Sequence, residues 1–570
     1  MQADLPTRLI QIECLPGSLH PAARLVLSTE LDATTVRYAT LSHCWGPNGV
    51  SVKLLRSNIG AFRSQVHWDI LPLTFQEAIL AATSLGLGYI WIDALCIVQD
   101  CAADWECEAS RMVQVYTNCY INISADSSTD GDGGLFRSRD PAMFQAFLVP
   151  SGPTHTGISY APYYCFPKNW DRYIEKAPLK TRSWVTQERF MSPRVVHFCD
   201  DQVHWECVEL MTSECVDSSF NIAPDTSRTP ARSLIDLRMQ SNETEKIEKL
   251  YELWYLLVES YTEGQLTFIS DRPVAIAGLA RTFAHLLNLK STDYLCGLWR
   301  PHLALEMMWY TRTSTERAHH SIPSWSWWSV NGNVWFQAPK NVGNYKPVAE
   351  VVGTFTTAVS GGPYSTVSSG VLKIRAPICR AKLSRAPDPF PWSGLFKQEC
   401  NHTIALGQDE LEEGKSFELL LDQSSPEFLG EVLSQEVYLL LGQGDVIAAS
   451  ESDTSSERSP SSQSIVPSTR DEITDARPSP KSNVQQRLGF YGVGHYDCLV
   501  LIQAGSKGAF RRVGFVSFSG ITGMTREVVD HEDEGSECCA ILDKHFQSSK
   551  VPRHLYDDVD ASFMYTITLV

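Results

Sequence analysis

At 570 residues the chain exceeds the roughly 250–300 at which one hydrophobic core stops growing, so two or three domains are expected. A net charge of -18 disfavours a phosphate-binding surface and argues against nucleic acid as a main partner. Residues Met1–Glu13 carry Asp4, Arg8 and Glu13 and lack the apolar core of a secretory signal. The sixteen cysteines are scattered without a C-x-x-C pair, which predicts reduced thiols in the cytoplasm or nucleus. The longest apolar stretch, Ile79–Val98, is interrupted by Gly86, Gly88 and Asp93, so it reads as a helix followed by a buried strand and not as a membrane span.

Val36–Ser42 reads as a first strand whose small and hydroxyl residues suit close approach by another group, and H-C-W-G follows as a loop. Thr74 and Glu77 have capping-box spacing, and Phe75, Ala78, Ile79 and Ala82 recur at helical intervals up to Gly86. Tyr89–Ile92 is a short apolar run ending at Asp93, as a strand buried on both faces does. Asp104 is placed to cap a further helix, and Tyr120–Ala125 supplies a third strand. The Ser-, Asp- and Gly-rich stretch from Asp126 to Pro141 predicts a mobile loop that opens an insertion over 126–178. Ser183–Met191 reads as a short helix, and Arg194–Cys199 with Gln202–Cys207 as a hairpin joined by Asp200 and Asp201.

A polar gap precedes helical spacing from Glu243 to Tyr261, and helical material is expected through Met308. Beyond Trp328 short alternating segments predict a mostly β region, broken by residues 448–483, too poor in apolar groups to repay ordering entropy. The expected organisation is an extension over 1–35, an α/β domain with a parallel sheet over 36–215, a helical region over 243–330 and a mostly β region over 331–570.

Five blocks carry a family resemblance: Y-A-T-L-S-H-C-W-G from Tyr38, L-P-L-T-F-Q-E-A-I from Leu71, G-Y-I-W-I-D-A-L-C-I-V-Q-D from Gly88, D-W-E-C-E-A-S-R-M-V-Q-V-Y from Asp104 and R-S-W-V-T-Q-E-R from Arg182. In this order they resemble the fungal heterokaryon incompatibility (HET) domain over residues 36–208, with His43 standing where family members usually carry tyrosine. Y-T-E-G-Q-L-T-F-I-S-D-R-P-V-A-I-A-G-L-A from Tyr261, C-G-L-W-R from Cys296 and I-P-S-W-S-W-W-S-V from Ile322 resemble segments found downstream of such domains. The resemblance implies allorecognition or defence-linked programmed cell death in the cytoplasm, with protein partners or self-association. It also implies remote similarity to Toll/interleukin-1 receptor-like domains, some of which cleave NAD with a glutamate on the helix after the third strand. Glu188 is the matching carboxylate, so NAD enters as a substrate and no resident cofactor is implied.

A carboxylate suits that chemistry because glycosidic cleavage passes through an oxocarbenium-like state. Ser42, Trp45 and Asp93 are the expected substrate-binding partners, since strand ends border the ligand crevice of open α/β sheets. Against this stands a structural reading of Glu188, with Gln187, as part of a buried network involving Arg182 or Arg189. A non-enzymatic adaptor acting by homotypic assembly is the alternative function. Trp91, Trp105 and Trp184 read as packing groups, and Glu108 as a solvated helix charge. His197, Cys199, His204 and Cys207 invite zinc, but strand positions 204 and 207 point to opposite faces, so no metal site is assigned.

Overall fold

The structure is a computed structural model that describes residues 5–139, 147–149, 163–165, 174–214, 242–266, 269–311, 317, 321–336, 345–359, 362, 364, 367–385, 402–406, 409–412, 417–423, 425–445, 495–505, 508–519, 546, 551–560 and 564–570. Residues 448–483, expected to be disordered, lie outside them, as does much of the expected insertion. The chain divides into two compact units, one built on residues 1–296 with short later segments, the other on residues 297–332, 336–357 and 367–570.

In the first unit the strands in chain order are β1 (Arg8–Glu13), β2 (Ala22–Leu27), β3 (Ala39–Ser42), β4 (Tyr89–Trp91), β5 (Ile121–Ser124), β6 (Phe147–Val149), β7 (Tyr163–Cys165), β8 (Arg194–Phe198), β9 (Val203–Cys207) and β10 (Met211–Ser213). Among them run the helices α1 (Ile59–Ser64), α2 (Leu73–Ser84), α3 (Asp93–Cys96), α4 (Ala102–Thr117) and α5 (Ser183–Met191). Eight strands form one sheet in the order β10-β9-β8-β5-β3-β4-β1-β2, while β6 and β7 pair separately.

The sheet is mixed and not parallel throughout. Strands β4, β3, β5 and β8 pair in parallel, whereas β1–β2 on one side and β9–β10 on the other pair antiparallel. The antiparallel neighbour β1 comes from the stretch read as an extension: Ile10 sits opposite Ile90 of β4. β1 is covered on both faces, since the consecutive residues Leu9 and Ile10 are both fully buried. The second strand of the expected hairpin turns the sheet antiparallel at β8–β9, as so short a connection requires.

Local structure follows the apolar spacing. Phe75, Ala78, Ile79 and Ala82 of α2 are all fully buried, and each large one contributes about 1.5–3 kcal/mol of transfer free energy. The expected capping roles differ. Thr74 accepts from the Gly134 amide at 3.0 Å, and Glu77 accepts from the Leu135 amide and, at 2.8 Å, from that of Phe136. These side chains hold the loop after β5, so the loop expected to be mobile is tethered and buries Leu135. Asp104 likewise lies inside α4, where it accepts from Arg8 at 2.6 Å and from the Val98 amide at 2.8 Å. Glu108 is buried, 3.7 Å from Arg8, and is not a solvated charge.

Helices Glu243–Glu263 and Arg272–Leu286 belong to this same unit. Phe283 stacks on Phe190 of α5 at 6.2 Å and meets Trp254 at 5.3 Å. Gly278 permits the approach: a Cβ there would lie 1.9 Å from Val113 and 2.8 Å from Gln187.

The second unit is sheet-rich. Strand Val367–Arg385 pairs with Met564–Leu569, Val437–Asp445 and His402–Leu406. Its core closes around Arg512, which pairs with Asp422 at 3.0 Å, donates to the Met307 carbonyl at 2.6 Å and lies 3.5 Å from the Trp309 ring centre. Trp325, Trp327 and Trp328 of the S-W-S-W-W run are buried here as packing groups.

Candidate active site

Strand β3 ends at Ser42, and the parallel pairing sets Ser42 beside Ser124 of β5. The polar groups inside this apolar block bond to one another, as buried polar groups must. Thr40 donates to the side-chain Oδ1 of Asn122 at 3.0 Å, the Asn122 side-chain Nδ2 donates to Ser42 at 3.0 Å, and Ser42 donates to Glu188. Tyr116 of α4 bonds to the same carboxylate. Burial pushes the Glu188 pKa up, and the Arg182 charge and the Ser42 bond oppose that rise only in part.

Glu188 reaches a pocket of about 970 Å³ whose lining includes Trp45, Asp93, Trp105, Met112, Arg182 and Trp184. Trp45 donates its indole N–H to Asp93 at 2.8 Å, and the other Asp93 oxygen accepts from the Ala94 amide at 2.7 Å. Asp93 therefore both starts α3 and fixes an aromatic wall. Lys53 lies 5.3 Å from the Trp45 ring centre. Trp105 and Trp184 meet edge to face at 6.4 Å, giving the pocket two aromatic groups that the sequence reading placed in packing roles. Trp91 does take the packing role and is fully buried.

Gly46 closes the H-C-W-G loop with φ of +74°, and a Cβ there would meet Asp130 at 2.7 Å. The loop is held further by Arg182, which donates to the His43 carbonyl. His43 is buried edge-on to Phe75 at 4.9 Å, and its Nε2 lies 3.7 Å from Asp93 with no hydrogen bond among the described residues. Burial brings its pKa down to about 4, with Asp93 opposing and Arg182 adding to the fall, so the imidazole is neutral near pH 7.

The four predicted positions thus fall into two bonded pairs, Ser42–Glu188 and Trp45–Asp93. Three of them, Trp45, Asp93 and Glu188, line the pocket, and Ser42 supports Glu188. Sequence reasoning passed over Asn122, although a polar residue in the middle of the apolar run Tyr120–Ala125 signals a buried network. It also passed over Gln265, Leu266 and Asp271, which line the pocket from beyond the α/β segment.

Arg189 and His197 belong elsewhere. Arg189 pairs with Glu206 at 2.8 Å and Glu175 at 3.0 Å. His197 contacts Asp126 at 2.9 Å and Glu206 at 3.2 Å. Burial alone would lower the His197 pKa, but these carboxylates push it up to about 9.

Residues 38–188 match the family model described as Heterokaryon incompatibility protein (HET). No curated protein matches the chain, and neither does any solved structure. The matched span opens at the strand that ends in Ser42 and closes on Glu188. Among the described residues no helix is long and apolar enough to cross a membrane.

Proposed function

Because residues 38–188 form a HET domain, we propose that the chain acts in fungal allorecognition or defence-linked programmed cell death in the cytoplasm, by cleaving the nicotinamide glycosidic bond of NAD. The observation that carries this reading is a buried glutamate reaching a pocket walled by tryptophans. Trp45, Trp105 and Trp184 offer faces to a base or the nicotinamide, and Arg182 offers charge to a diphosphate. As the C1′–N bond breaks, its electron pair leaves with nicotinamide, and Glu188 in its carboxylate form stabilises the ribosyl cation that water then captures. Low dielectric around Glu188 strengthens that attraction, while Ser42 and Tyr116 hold the carboxylate in place. The remote Toll/interleukin-1 receptor-like similarity of such domains supports the same role for this glutamate.

The test is chromatographic measurement of NAD and nicotinamide over hours with the full chain, alone and artificially clustered. Nicotinamide release that depends on Glu188 supports the proposal. No turnover above buffer, together with no NAD-induced rise in melting temperature, overturns it.

The second reading is an adaptor that signals by assembly. It is favoured by the hydrogen-bonded state of Glu188, which lets the residue serve the fold alone. Cell death that survives Glu188→Gln at unchanged protein level selects this reading.

A further inference from the structure

Strands β8 and β9 meet in a tight turn, closed by the Cys199 amide donating to the Gln202 carbonyl at 3.3 Å. We propose that this turn binds a single zinc-class divalent ion through the Cys199 thiolate, the Asp201 carboxylate and the His204 imidazole. Their donor atoms all lie within 4.8 Å of one another. A tetrahedral ion with sulfur at about 2.3 Å and nitrogen or oxygen at about 2.0–2.2 Å holds its donors roughly 3–4 Å apart, so side-chain closure of about 1 Å suffices.

The chemistry of the set is selective. One soft sulfur, one imidazole and one carboxylate suit zinc or cobalt, whereas calcium and magnesium take oxygen ligands. The site is also dry enough to hold an ion: Cys199 is 2% and His204 1% exposed. His204 already lies 3.4 Å from Asp201. Binding of the ion to the Cys199 thiolate releases the thiol proton to solvent. The neighbouring His197 is excluded as a ligand because Asp126 and Glu206 engage both its ring nitrogens. Cys207 sits opposite Arg194 at the far end of the hairpin. Three protein donors leave the fourth position to water, and the ion staples the turn where the Ser127 amide bonds to Phe198.

The experiment uses the full chain stripped with chelator and titrated with cobalt(II), then with zinc(II). Binding of one cobalt with tetrahedral visible bands and a thiolate charge-transfer band is expected. Zinc should displace the cobalt and raise the melting temperature. Cys199→Ser should abolish the charge-transfer band. Asp201→Asn keeps the size of a turn residue and should weaken binding at least about tenfold even if the cysteine variant folds poorly. An absent charge-transfer band overturns the site. So does a band and affinity unchanged in Asp201→Asn, which would assign the ion to another cysteine.

Discussion

Ser42 and Glu188, 146 residues apart in the chain, share a buried hydrogen bond at the end of the central parallel strands. The bond joins residues near the two ends of the HET match, which spans residues 38–188. Replacing Glu188 by Gln keeps the bond and removes the charge. Nicotinamide release should fall at least about 100-fold, read as turnover at saturating NAD.

The same substitution carries a sign for stability. A carboxyl whose folded pKa is raised favours the fold below its unfolded pKa and loses that contribution as pH rises through the folded value. Glu188→Gln should therefore melt no lower than the parent at pH 7 and show a flatter pH dependence above the usual carboxylate range. A clear drop in melting temperature at pH 7 would mean that the charge supports the fold.

Ser42→Ala removes the donor to Glu188 and the acceptor for Asn122. Leaving these groups unsatisfied should cost about 1–3 kcal/mol in denaturant unfolding. Turnover should fall by about tenfold, less than for the charge removal, because the carboxylate remains. Equal losses for the two variants would show that the carboxylate acts only when the hydroxyl holds it.

His43 gives a prediction of opposite pH sense. Its folded pKa of about 4 lies below the ordinary 6.5, so its contribution is complete above 6.5 and is lost as pH falls toward 4. The charged groups facing it are Asp93 at 3.7 Å and Arg182, which bonds its carbonyl. His43→Gln should remove that part of the acid sensitivity, seen as a smaller stability difference between pH 7 and pH 5 than in the parent.

The helices after residue 242 should be needed for folding of the α/β unit. A fragment of residues 1–296 is expected to be soluble and to melt cooperatively, while residues 1–210 should aggregate because α4 and α5 lose their cover. Gly278→Val should mimic the truncation by driving a methyl into Val113, with destabilisation of about 1–3 kcal/mol or more. A stable, monomeric 1–210 fragment would refute this.

Much of the α/β segment was legible because its signals are local. The run Tyr89–Trp91, the spacing of Phe75, Ala78, Ile79 and Ala82, and the turn at Asp200 and Asp201 each specify an element within a few residues. What the sequence hid was pairing at a distance. Nothing near Ile10 announces Ile90 as its neighbour, so β1 was read as an extension. Glu77 has the spacing of a cap, yet the amides of Leu135 and Phe136 compete for it and prevail. Trp105 and Trp184 were indistinguishable from core residues because exposure to a pocket leaves no mark on helical periodicity.

The layout of the mixed sheet has a kinetic consequence. The flanking pairs β1–β2 and β8–β9 close short loops, while the parallel block needs long crossovers whose entropy must be met before any contact rewards it. The hairpins are therefore expected to organise early during refolding and the parallel strands late. Ser42 can meet Glu188 only after β3, β5 and β8 are aligned. A partly folded chain, including one still on the ribosome, would hold the glutamate without the crevice, and so the proposed NAD cleavage would be withheld until folding is complete.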